Sequence, residues 1–74
     1  MIITKVFLLT PRQRELMALL ADGMTVPAAS RRLGISPGTA DTHLRRAYER
    51  LGAHHRIAAV RRAMELGEIG SWND

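Results

Sequence analysis

Apolar residues recur along this chain with a helical period, and capping residues and glycines divide that period into four segments. Thr10-Pro11-Arg12-Gln13 reads as a capping box with proline at the first helical position. In that motif the threonine hydroxyl takes the Gln13 amide and the Gln13 side chain reaches back. Leu16, Met17, Leu20 and Ala21 follow at helical spacing, and Gly23 supplies a left-handed stop, so a first helix is expected from about 11 to 22. Thr25 caps a second, with Pro27 in its first turn, where a missing N–H costs little, and Gly34 after Leu33. Ser36-Pro37 repeats the cap-then-proline start for a third helix running to about Leu51, closed by Gly52. A fourth spans about Arg56 to Leu66 and stops at Gly67.

Only Gly34, Ile35 and Ser36 separate the second and third helices. A three-residue turn with glycine at its head is the helix-turn-helix arrangement, whose second helix can enter a DNA major groove. Within helix three, Ala40, Leu44, Ala47, Tyr48 and Leu51 form one stripe, expected to be core with a wet tyrosine hydroxyl. The opposite face carries Gly38, Thr39, Thr42, Arg46 and Glu49, flanked by Arg45 and Arg50. Arginine reads guanine bidentately, and threonine offers a hydrogen bond or a methyl contact to thymine. Glu49 is expected to pair with Arg45 or Arg46 as a surface ion pair, an interaction of about 0–1 kcal/mol.

Charge sharpens this picture. Between Arg31 and Arg62 lie eight arginines and two acids, a net of +6, whereas the rest of the chain has three basic residues and five acids, a net of −2. So local an excess suits a polyanion. A membrane surface is the weaker reading, because the arginines lie around a bundle instead of along one amphipathic helix. The opening MIITKVFLL is too short to span a bilayer and lacks a cleavage site. With no cysteine, disulfides and thiolate metal sites are excluded, and a cytoplasmic protein is expected. His43, His54 and His55 lack a carboxylate at ligand spacing, and no nucleophile–base pairing or phosphate-cradling glycine loop stands out. Neither an enzyme nor a cofactor or small-molecule ligand is expected. At 74 residues the chain holds one domain with a small core. Ten arginines to one lysine hint at a GC-rich genome, bacterial or phage.

The segments LTPRQRELMALLADGMT, RRLGISPGTADTHLRRAYERLG and HRIAAVRRAMELGEI, in that order and spacing, resemble the DNA-binding domain of LuxR-type (GerE-like) transcriptional regulators over residues 9–69. Residues 1–8 then form an apolar arm and 70–74 a tail. The resemblance implies an all-α, four-helix bundle with a helix-turn-helix, and a recognition helix at about 37–51. By position it implies DNA contacts from Thr39, Asp41, Thr42, His43, Arg45 and Arg46, with Thr39 and His43 nearer the backbone; Arg50 and Arg31 are further candidates. Two departures stand out. Ala40 and Asp41 occupy positions where relatives usually have valine and lysine. An acid there repels phosphate; it can accept from cytosine N4 or favour the positive helix end, and the helix-end role is expected. Ala29 leaves less core in helix two, a space the N-terminal arm is expected to fill.

Helix four bears two apolar stripes, Ile57/Val60/Met64 and Ala59/Ala63/Leu66, on nearly opposite sides. The resemblance implies that helix four forms a homodimer contact, through Ile57, Val60, Arg61 and Met64. The alternative is burial of both stripes within the monomer, aided by Trp72 and the arm. A free-standing regulator is expected, binding double-stranded DNA. The rival is a protein-interaction module docking on RNA polymerase or a related regulator, motivated by Asp41 and the spare stripe.

Overall fold

The computed structural model describes residues 6–70, and these form α1 (Pro11–Ala21), α2 (Val26–Leu33), α3 (Pro37–Leu51) and α4 (Arg56–Glu65). The arm's residues 1–5 and Trp72 lie outside the described residues. Each start follows from its cap. Thr10 Oγ1 accepts from the Gln13 backbone amide (3.1 Å) while the Gln13 side-chain oxygen Oε1 accepts from the Thr10 amide (3.0 Å), closing the capping box. Thr25 and Ser36 accept from Ala28 and Thr39 amides. The fourth cap is His55, whose Nδ1 accepts from the Ala58 amide at 3.3 Å. The helix ends differ slightly from expectation. Asp22 is already the C-cap of α1, and α4 stops at Glu65, with Leu66 as its cap.

All four helices contribute to one core, and its composition explains how a small chain closes it. Leu16 and Met17 of α1 are fully buried, as are Ala29, Ala40, Ala47, Ala59 and Ala63. Five buried alanines let the helix backbones approach closely, so dense packing is reached with few large side chains. Ala29 is itself fully buried, and of the arm expected beside it only residues 6–8 are described. Val6 is 89% exposed, Leu8 is exposed, and the Phe7 ring lies 3.6 Å from the Arg14 guanidinium carbon. Among the described residues, Leu9 is the first to enter the core. Inside, the buried Ser30 hydroxyl donates to the Val26 carbonyl at 2.7 Å, the back-bond open to a helical serine, whereas Arg14 Nε is buried without a hydrogen-bond partner among the described residues. Tyr48 is half-buried, as its place on the core stripe requires. Burial pushes its hydroxyl pKa up, and the positive charge of Arg56 opposes that shift.

The turn between α2 and α3 places the surface of interest. Gly34 takes the left-handed conformation (φ 70°, ψ 32°), which a side chain would strain, and the Ile35 amide bonds back to the Ser30 carbonyl at 3.0 Å. Ile35 is half-buried, and Ser36 restarts the helix immediately. Among the described residues no helix is long and apolar enough to cross a membrane.

Candidate nucleic-acid interface

On α3 the inner stripe Ala40, Leu44, Ala47 and Leu51 is buried, which fixes the opposite face outward. Thr39, Asp41, Arg45, Arg46, Glu49 and Arg50 are exposed, and Thr42 and His43 are half-buried. Arg31 and Arg32 are exposed in the last turn of α2, where cations also suit the negative helix end. Among the described residues, the side chains of Arg31, Arg32, Arg45 and Arg46 make no hydrogen bond or ion pair. Four guanidiniums with no internal partner thus lie on the two helices of the helix-turn-helix. Glu49 pairs with neither Arg45 nor Arg46; the ion pairs among the described residues are Arg12–Glu15 (3.0 Å) and Arg62–Glu65 (3.9 Å).

The hydroxyls near the start of α3 are already oriented. Ser36 Oγ donates to Thr39 Oγ1 at 2.9 Å, and Thr42 Oγ1 donates to the Gly38 carbonyl at 3.1 Å. Asp41 does not take the helix-end role expected of it. It is the fifth residue of α3, beyond the first turn, and the free amide there goes to Ser36 instead. The short carboxylate has no hydrogen bond or ion pair among the described residues.

Three further arginines and an acid do structural work that composition does not reveal. Arg50, counted as a DNA contact from sequence, donates from Nη1 to the Leu8 carbonyl at 3.1 Å and so holds the segment before α1. From the first turn of α4, Arg56 sends Nη2 to the carbonyls of Leu20, at 3.1 Å, and Met24, around the end of α1. Arg62 faces Glu65. The +6 stretch therefore offers outward charge mainly from Arg31, Arg32, Arg45 and Arg46, with Arg61 on α4. Glu68, buried, accepts from the Leu8 amide at 3.0 Å and the Leu9 amide at 2.7 Å. Sequence reasoning passed over Glu68 and Arg56. For Glu68 a signal existed: a carboxylate just past a helix C-terminus faces the negative end of the dipole, which asks for a specific partner.

The stripes of α4 do not separate as two faces. Ala59 and Ala63 are fully buried and Val60 is 5% exposed, so residues of both stripes enter the core. Ile57 stays 68% exposed, Arg61 and Leu66 are exposed, and Met64 is half-buried. Ile57, Arg61 and Met64 border an open apolar groove of about 330 Å³ between α4 and the end of α1, floored by Leu20, Ala21 and Val60.

Comparison with known proteins agrees with this architecture. The chain is 43% identical over 56 residues to the "Probable transcriptional regulatory protein NarL" of Mycobacterium tuberculosis, a match covering 76% of this chain and 26% of that protein. It is 46% identical over 52 residues to the "Probable transcriptional regulatory protein SgaR" of Hyphomicrobium methylovorum, covering 70% and 25%. The chain thus spans about a quarter of the length of these relatives. A solved structure titled "Structure of Transcription factor, GerE" superposes with a TM-score of 0.83 at 32% identity, over 88% of this chain and 97% of that one. Its four helices, its turn and the match of residues 8–63 to the family described as "Bacterial regulatory proteins, luxR family" agree, and the chain belongs to that family of regulators.

Proposed function

We propose that this chain binds double-stranded DNA in a sequence-specific way as a transcriptional regulator, with α3 in the major groove. The observation that carries the reading is the outward face of the helix-turn-helix, where Arg31, Arg32, Arg45 and Arg46 lack internal partners beside oriented hydroxyls. Arg45, Arg46 and Thr42 read base edges. Thr39, His43 and Arg31 hold phosphates, and Arg50 joins them only by leaving Leu8. The setting is the bacterial cytoplasm. Binding of this kind releases counterions, so log affinity falls with log salt by about 0.9 per phosphate neutralised. Selection from randomised duplexes, followed by titration at several salt concentrations, tests it. Arg46→Ala is expected to flatten the preference at one base pair by roughly tenfold, whereas Arg31→Ala weakens all sequences alike. Duplex binding that ignores salt, or selection that enriches no motif, overturns the reading and favours the protein-docking alternative.

The same reading has two copies meeting through α4 on paired half-sites about one DNA turn apart. Exposed Ile57 beside the groove supports it; Val60 contributes from the groove floor, while Arg61 and Met64 form its rim. Ile57→Glu is expected to leave affinity for a single half-site within about twofold and to lower affinity for the paired site by tenfold or more, because two carboxylates would face each other across the contact. Equal losses on both duplexes, or none on either, would remove α4 from the contact.

A further inference from the structure

Hydrogen-bond polarity at the start of α3 narrows what that helix selects, on the premise that it reads duplex DNA as proposed above. Thr42 has one hydroxyl proton, and it is committed to the Gly38 carbonyl, which can only accept. What Thr42 has left to offer a ligand is therefore lone pairs and a methyl group. Asp41, its neighbour, carries a carboxylate, which offers acceptors. Arg45 lies four residues after Asp41, the spacing at which helical ion pairs form, yet no such pair is made. The carboxylate is exposed and is not used to cap α3.

We infer that Asp41 and Thr42 form an acceptor-only pair that selects cytosine at the base they face, leaving guanine to the neighbouring donors Arg45 and Arg46. In the major groove cytosine presents its N4 amine beside an apolar C5–H edge. A carboxylate meets a donor there and no opposing lone pair. Guanine O6 and N7 and thymine O4 would set acceptor against acceptor. Adenine offers an N6 amine, but its N7 lone pair lies beside it and repels the second carboxylate oxygen. A carboxylate near phosphates weakens binding to every duplex, so the residue acts through discrimination and not through affinity.

The test is parallel selection from randomised duplexes by the wild-type protein, Asp41→Asn and Thr42→Val, with circular dichroism to confirm equal helix content. The wild-type protein is expected to enrich a position where cytosine exceeds each other base by roughly tenfold. Asp41→Asn flattens that position, because an amide both donates and accepts, and binds all duplexes more tightly. Thr42→Val, which keeps the methyl group and loses the lone pairs, weakens the cytosine preference at the same position or the next. A wild-type motif reproduced unchanged by Asp41→Asn overturns the inference and leaves DNA reading by α3 standing. A wild-type protein that enriches no motif overturns that premise and the inference together.

Discussion

Glu68→Ala is expected to destabilise the protein by about 2–4 kcal/mol, because two backbone amides lose their carboxylate acceptor, the Leu9 amide in a buried site and the Leu8 amide in a part-buried one. The carboxylate, 6% exposed, receives the Leu8 and Leu9 amides at 3.0 and 2.7 Å, and Leu9 is itself 3% exposed. A hydrogen bond to a charged group contributes about 1.5–3 kcal/mol, and a stranded buried donor adds its own penalty. A domain of 74 residues has a total stability on the order of 4–11 kcal/mol, so the loss is a large share of it. In urea titrations the unfolding midpoint should fall without a change in slope. Glu68→Gln keeps an oxygen acceptor but no charge, and about half the loss is expected. Amide exchange separates this clasp from general loosening: Leu8 and Leu9 should lose protection before the core of α1 does. An unfolding free energy within about 0.5 kcal/mol of the wild-type value would mean that water replaces the carboxylate freely.

The contrast between Glu68 and the helix caps shows what a sequence of this kind makes legible. Thr10, Thr25 and Ser36 were readable because a cap and its partner amide lie three residues apart, so sequence spacing is spatial spacing. The buried stripe of α3 was readable for the same reason, and it fixed the outward face that carries Thr42, Arg45 and Arg46. Contacts between side chains and distant backbone have no such imprint. Glu68 reaches back 60 residues to Leu8, Arg50 reaches 42 to the same residue, and Arg56 reaches 36 to Leu20. Counting charge treated all three as surface. His55 escaped as a cap because histidine is an uncommon choice there, although its ring nitrogen accepts as a hydroxyl would. The stripes of α4 misled for another reason: alanines can be wholly buried while a larger neighbour such as Ile57 stays outside, so apolar spacing alone does not say which side is core.

Arg56→Ala is expected to cost about 1.5–3 kcal/mol of stability while leaving the DNA affinity of the folded protein within about twofold. Helix α1 ends with no basic residue in its last turn, although its carbonyls there, bonded to the Asp22, Gly23 and Met24 amides, carry the negative end of the dipole. Arg56 supplies the missing cation from α4, bonding the carbonyls of Leu20 and Met24 and so tying the end of α1 to the start of α4. For a domain this small, the loss should lower the melting temperature by roughly 10 °C or more. Arg56→Lys keeps the charge but not the planar fork, and an intermediate loss is expected. The decisive readout is the salt dependence of duplex binding, measured at a temperature where every variant is folded. Arg31→Ala should reduce the slope by about one, as loss of one phosphate contact does. Arg56→Ala should leave the slope unchanged, because its guanidinium already faces backbone oxygens inside the fold. A slope reduced to the same extent by both would place Arg56 on the DNA and return it to the basic surface from which the structure removes it.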